Sequence, residues 1–283
     1  MTGDLQSKYD FLQGILRKLG KVVIGYSGGV DSTLLLKVAV DVLGTNALAV
    51  IGTSATYPSR EYEEAVRNAL NIGARYEEVL TEETDNLKFL ENPPDRCYFC
   101  KTELFSKLNE IAGREEIPWV IDGTITDDLG DFRPGMRATK EQNVRSPLLE
   151  AGMSKADVRA ISKFLGLPTW EKGSFACLSS RFPYGYPISK EALAKVDGAE
   201  TLFRDRGFRY FRVRYHDEKT ARIELGKEEF GRLLDEGLRI EVVNHLRKLG
   251  FTYITLDLQG YRTGSMNEVL SEAARAKALA HRE

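Results

Sequence analysis

The hydrophobic positions in the first half of the chain switch between a helical and a strand-like period. Leu5, Phe11, Leu12, Ile15, Leu16 and Leu19 recur at three- and four-residue spacing, which predicts an amphipathic helix ending at Gly20. The short run Lys21 to Gly25 then reads as a strand, and a loop from Tyr26 to Ser32 leads into a helix over Thr33–Leu43. A strand over Ala47–Gly52, a helix over Ser59–Ile72 and a strand over Arg75–Leu80 follow. Alternation of this kind predicts an α/β fold: a doubly wound parallel sheet with helices on both faces. A proline-containing stretch, Glu91 to Cys100, precedes a helix expected over Lys101–Ala112 and a strand over Trp119–Gly123. The segment from Asp127 to Arg137 is polar and Gly-rich, and a further helix lies within Leu148–Leu167 with Ser154 as its N-cap.

Beyond Trp170 the order of elements changes. A helix over Ser189–Arg206, strands over Tyr210–Tyr215 and Ala221–Leu225, helices across Lys227–Leu249 and a strand over Thr252–Leu258 predict a second, smaller α+β domain. The expected division is 1–172 and 173–283, which suits a chain of 283 residues at about 150 residues per domain.

Composition narrows the class. Forty Lys and Arg against 42 Asp and Glu leave a net charge of −2, which argues against a surface built to wrap nucleic acid. No apolar run approaches the roughly 18 to 20 residues that span a bilayer, and the segment Met1 to Asp10 lacks a signal-peptide pattern, so a cytoplasmic protein is expected. Three cysteines are too few and too odd in number for a disulfide framework, which turns attention to metal or thiol chemistry.

Ser27-Gly28-Gly29-Val30-Asp31-Ser32 sits between the first strand and the helix that follows it. Glycines let the backbone approach a phosphate, and a helix start presents unbonded N–H groups and the positive end of the helix dipole. The spacing matches neither GxxxxGK[ST] nor GxGxxG. It resembles the PP-loop of the ATP pyrophosphatases, which cleave ATP between the α- and β-phosphates and adenylate a substrate. By that resemblance Ser27, Gly28, Gly29, Asp31 and Ser32 hold pyrophosphate, with Asp31 near its Mg2+, while Thr53 and Ser54 line the adenosine pocket at the carboxyl edge of the sheet.

Cys97 and Cys100 form a CxxC motif, and the third thiol is Cys177. Two thiols three positions apart can chelate one metal centre, and a helix N-terminus lowers thiol pKa. A redox pair, or a zinc site completed by His216, His245 or His281, are alternatives, although none of these histidines has finger spacing. With Cys177 the three thiolates could ligate three irons of a [4Fe–4S] cluster and leave the fourth open for a hydrosulfide. Arg212 and Arg214 alternate on one strand, so they share a face that suits a phosphate, or else one salt-bridged to Glu200 or Glu224. Arg181 and Arg262 lie in loops rich in Gly, Ser and Tyr.

The motifs SGGVDS, CLSSRFPYG, RVRYH followed by ARIEL, and LDLQGYRTGSMNE together resemble the LarE family over nearly the whole chain. That family makes the thiocarboxylates of the nickel-pincer nucleotide from pyridinium-3,5-biscarboxylic acid mononucleotide. The resemblance implies that Arg212 and Arg214 hold the substrate phosphate, with Arg181, Glu200, Glu224 and Arg262 nearby. Cys177 matches the cysteine that in some members gives up its own sulfur and becomes dehydroalanine. Cys97 and Cys100 depart from those single-cysteine members and point to the cluster-dependent type, which passes on an added sulfide from an unidentified source. The implied requirements are ATP, Mg2+ and a [4Fe–4S] cluster, and the family suggests a homo-oligomer. Competing readings are a PP-loop tRNA thiolase, an amide-forming PP-loop synthetase, and a non-enzymatic iron–sulfur or nucleotide-sensing protein.

Overall fold

The computed structural model of the chain describes residues 3–130, 132–173, 176–262 and 264–279. It packs as two compact units, one made of Met1–Glu83, Asp95–Phe175 and Ala278–Glu283, the other of Thr84–Pro94 and Ala176–Lys277. The boundary expected at 172/173 falls beside residues 174 and 175, which lie outside the described set.

In the first unit, α1 (Gly3–Leu19), β1 (Val22–Gly25), α2 (Val30–Leu43), β2 (Ala47–Thr53), α3 (Ser59–Ile72) and β3 (Arg75–Leu80) alternate as the periodicity predicts. They are followed by α4 (Arg96–Arg114), β4 (Trp119–Ile121), α5 (Gly135–Glu141) and α6 (Lys155–Phe164). The four strands form a wholly parallel sheet in the order β3-β2-β1-β4. Val22 of β1 stands in register with Ala47 on one side and Trp119 on the other.

Alternation along the strands divides the core between the two faces of the sheet. Val22, Ile24, Ala47, Ala49, Ile51 and Ile121 pack with residues of α1, α2, α3 and α6. Val23, Leu48, Val50 and Val120 pack instead with Phe105, Leu108 and Ile111 of α4 and Ala138 of α5. Burial on both faces is why β1 reads as an unbroken apolar run. The chain leaves β1 for β2 and β3 on one side, then returns to β4 on the other. The topological switch point, where doubly wound folds bind ligands, therefore lies between β1 and β4.

Element ends follow local chemistry. Gly73 closes α3 in the left-handed conformation at φ +77°. Ser154 and Asp157 form a reciprocal capping box at the start of α6, as the N-cap expectation implies. Two helices start earlier than their periodicity suggests. Helix α2 begins at Val30, inside the glycine loop, and α4 begins at Arg96, so Cys97 and Cys100 are helical residues rather than part of a preceding loop. Pro93 and Pro94 forbid helix only up to their own positions, and the apolar stripe that defines α4 begins later than its hydrogen bonds.

The second unit contains α7 (Lys190–Asp205), β5 (Phe211–Tyr215), β6 (Thr220–Leu225), α8 (Glu236–Lys248) and β7 (Tyr253–Leu256). Its sheet has the order β5-β6-β7, with β5 antiparallel and β7 parallel to β6. Among the described residues no helix is long and apolar enough to cross a membrane.

Candidate active site

The loop between β1 and α2 is shaped by two close approaches that leave little room for a side chain. Gly28 sits at φ +63°, and a Cβ built on it would lie 2.7 Å from Cβ of Ala65 in α3. Gly123, just past β4, would place a Cβ 3.0 Å from the Ser32 backbone nitrogen. Within the loop the Ser27 amide donates to Ser32 Oγ at 3.3 Å, and the two serine hydroxyls stand 3.2 Å apart. Gly29 precedes α2 and gives it no side-chain cap. A first turn without a side-chain cap, at the positive end of the helix dipole, is an arrangement that suits an anion.

Asp31 lies in that first turn. Burial raises its carboxyl above the ordinary aspartate value, against the opposing pull of Lys155. Lys155 Nζ is 2.5 Å from Oδ2, while Oδ1 is buried without a hydrogen-bond partner. A half-buried carboxylate with one oxygen unbonded among the described residues fits a magnesium ligand in its chemistry. Lys155, on α6, was not among the sequence candidates, and nothing in its local pattern marks it, because it meets Asp31 only through packing of α6 against α2.

At the carboxyl ends of β2 and β3 the predicted adenosine-side residues come together. Ser54 Oγ and Thr56 Oγ1 both donate to Glu83 Oε1, at 2.5 and 2.7 Å, and Thr53 Oγ1 donates to the Val79 carbonyl at 3.4 Å. Glu83 escapes sequence analysis, since one glutamate in a polar stretch carries no periodic signal. At the end of β4, Asp122 accepts from Ser146 Oγ at 2.6 Å and from Thr124 Oγ1 at 2.7 Å, with Lys101 Nζ at 3.7 Å.

Cys97 is exposed and Cys100 half-buried, both near the start of α4. Three positions apart on a helix, they occupy one face. Cys177 belongs to the second unit, half-buried immediately before the short turn Leu178–Arg181. Among the described residues no group of three or more His, Cys, Asp and Glu is placed to hold a metal ion. Three thiols are donors of the type that suits an iron–sulfur cluster.

The second unit is organised by buried ion pairs. Arg181, 2% exposed, donates from Nε and Nη2 to Glu200 at 2.9 and 2.8 Å. Its Nη1 donates to the carbonyls of Ala176 and Cys177 at 2.7 and 3.0 Å. Glu200 also accepts from the Val213 amide at 3.0 Å. One carboxylate thus links the cysteine loop to the strand carrying Arg212 and Arg214. Burial alone would raise Glu200, yet Arg181 outweighs it and holds the carboxyl below the ordinary glutamate value.

Arg214 pairs with Glu224 at 2.9 and 2.7 Å and donates to Ser180 O and Ser265 Oγ at 3.0 and 2.8 Å. This is the salt-bridged alternative for that residue, buried rather than solvated. Arg212 differs: its Nη1 donates to the Phe211 carbonyl at 2.8 Å and its guanidinium lies over the Tyr261 ring. Burial and then the Arg181 charge lower its pKa, so an approaching anion would relieve its environment. Arg262 is tied to Glu268 at 3.1 Å through two nitrogens, next to Thr263, which lies outside the described residues.

Comparison with known proteins agrees with this architecture. The family described as NAD synthase matches residues 5–96. An uncharacterized protein of Synechocystis is 45% identical over 268 residues, covering 95% of this chain and 100% of its own. The GMP synthase of Chlamydia muridarum is 25% identical over 219 residues, 68% of this chain but 41% of its own length. The pyridinium-3,5-bisthiocarboxylic acid mononucleotide synthase of Lactiplantibacillus plantarum is 40% identical over 270 residues, which make up 95% of this chain and 97% of that enzyme. On that similarity and the PP-loop scaffold beneath it, the chain belongs to the LarE family of ATP-dependent sulfurtransferases.

Proposed function

We propose that this enzyme adenylates the carboxylates of pyridinium-3,5-biscarboxylic acid mononucleotide and converts them to thiocarboxylates for the nickel-pincer nucleotide. A carboxylate is a poor acyl donor because oxide must leave. Its attack on the α-phosphorus of ATP expels pyrophosphate and forms an acyl-adenylate, and sulfide then attacks the carbonyl with AMP as leaving group. The observation that carries this reading is the Ser27–Ser32 loop, with its uncapped amides and Asp31 in the first turn. Those amides would stabilise the departing pyrophosphate, and Asp31 would hold a Mg2+ that neutralises the developing charge when bound. Thr53 and Ser54 would take the adenosine, and the second unit the substrate, with Arg212 gripping its phosphate and Arg181, Arg214, Glu200, Glu224 and Arg262 framing the site.

For the sulfur, Cys97, Cys100 and Cys177 are proposed to hold a [4Fe–4S] cluster, which would supply an iron site for an added sulfide. Support comes from the thiol pair on one helix face, which has no role if Cys177 is the donor. The second reading, Cys177 as sacrificial donor, is favoured by the Arg181 contacts that pin its loop independently of the other two thiols. The assembly is proposed to be a homo-oligomer.

The test is turnover of the mononucleotide with ATP and sulfide after anaerobic reconstitution, followed by intact-mass analysis. Pyrophosphate and AMP as products support adenylation, whereas ADP ends the reading. Conversion of Cys177 to dehydroalanine, with activity intact in a Cys97→Ser and Cys100→Ser double variant, rules the cluster out.

A further inference from the structure

The glycines that let the loop approach a phosphate also leave its peptides free to rotate, so something must hold their N–H groups toward the ligand. Two side chains outside the motif touch its carbonyls from behind. The Tyr57 hydroxyl donates to the Ser27 carbonyl at 2.9 Å, and Lys172 Nζ donates to the Gly28 carbonyl at 3.3 Å. In a planar trans peptide the C=O of one residue and the N–H of the next point in opposite directions. Fixing the Ser27 carbonyl therefore aims the Gly28 amide, and fixing the Gly28 carbonyl aims the Gly29 amide, away from Tyr57 and Lys172.

Both side chains are themselves held. Lys172 Nζ lies 2.7 Å from Glu61 Oε2 and 3.0 Å from Glu64 Oε1, two carboxylates on α3. Burial raises the Tyr57 phenol, which stays protonated and able to donate. Gly28 is pressed onto Ala65 of the same helix, so α3, Tyr57 and Lys172 together make a rigid backing for the loop.

We infer that Tyr57 and Lys172 are positioning residues for the pyrophosphate leaving group: by fastening the Ser27 and Gly28 carbonyls they orient the loop amides toward the β- and γ-phosphates. The inference rests on the loop being the pyrophosphate site proposed above. It makes a demand that a general structural role does not. Loss of either contact weakens binding of pyrophosphate, which these amides hold, and leaves binding of AMP, which lacks the β- and γ-phosphates, as it was.

The experiment is calorimetric titration of the full chain, with Mg2+, by inorganic pyrophosphate and separately by AMP, for wild type, Tyr57→Phe, Lys172→Met and Lys172→Arg. Expected is an approximately tenfold weaker pyrophosphate Kd for Tyr57→Phe and Lys172→Met, with AMP affinity within about twofold of wild type and partial recovery in Lys172→Arg. Tyr57→Phe removes one neutral hydroxyl and keeps the ring, so its loss cannot arise from a missing charge on the ligand. Unchanged pyrophosphate affinity in both variants overturns the inference, as does an equal loss for AMP and pyrophosphate. Failure of the wild-type chain to bind pyrophosphate overturns the loop assignment itself, and is distinguished by the wild-type titration alone.

Discussion

The Arg181–Glu200 pair offers the most quantitative test of how the second unit is held together. The two side chains are 2% and 1% exposed, so the pair is shielded from the solvent that makes surface ion pairs weak. Replacing Glu200 by Gln leaves the Arg181 guanidinium buried with its charge uncompensated, while Gln keeps an acceptor for the Val213 amide. Breaking one side of a buried pair costs about 3–5 kcal/mol. The carbonyls of Ala176 and Cys177 still accept from Nη1, which places the expected loss at the lower end, about 3 kcal/mol. Arg181→Met alone takes the paired guanidinium from Glu200, leaving it the Val213 amide and the Arg212 charge, and is expected to cost a similar amount. Combined, the two substitutions remove both charges, and the loss should fall well short of the sum.

The assay is urea unfolding with hydrogen exchange at the β5 amides, because Val213 N–H is bonded to Glu200 and reports on this unit separately from the first. Acidity supplies a second arm. Glu200 is held below its ordinary value, so its contribution is present in full above the unfolded value, about 4.3, and is lost as pH falls through the lower folded value. The stability gap between wild type and Glu200→Gln should therefore shrink below about pH 4. Additive costs for the two single substitutions, or a loss under about 1 kcal/mol for Glu200→Gln, would refute the reasoning.

Three further outcomes are expected. Lys155→Met removes the cation that opposes burial at Asp31, so the acid limb of ATP–pyrophosphate exchange should move to higher pH, with an unmoved limb arguing against Asp31 as the titrating group. Arg212→Ala should weaken mononucleotide binding by about 1.5–3 kcal/mol. Arg214→Ala removes two bonds from buried Glu224, which keeps Arg222 Nη2 at 3.1 Å, and should destabilise the second unit by about 1.5–3 kcal/mol, and paired titration and melting of the two variants separate these roles. Gly123→Ala drives a Cβ to 3.0 Å from the Ser32 nitrogen and 3.2 Å from its Cα, so ATP affinity should fall measurably, by about 1–3 kcal/mol, in a chain that still folds.

Periodicity along the chain was enough to place β1, α2, β2, α3 and β3, because burying both faces of a parallel sheet demands continuous apolar strands between amphipathic helices. The glycine motif was legible for a similar reason, since close backbone approach and an open helix start leave a local signature. Helix starts were less legible. Cys97 and Cys100 read as a loop because hydrogen bonding in the first turn of α4 does not need the apolar stripe that reveals a helix in sequence.

What only tertiary structure decided is the pairing of charges. A strand with Arg212 and Arg214 on one face leaves open whether each arginine meets a ligand or a carboxylate, and the answer depends on residues far away in sequence. Folding gave Arg214 to Glu224 within the sheet and Glu200 to Arg181, and set the Arg212 guanidinium over the Tyr261 ring, where burial and the Arg181 charge lower its pKa. Lys155 on Asp31, and Tyr57 and Lys172 on the loop carbonyls, belong to the same class. Such contacts are made by the packing of whole elements, which brings together residues as far apart as Lys172 and Gly28, 144 positions away.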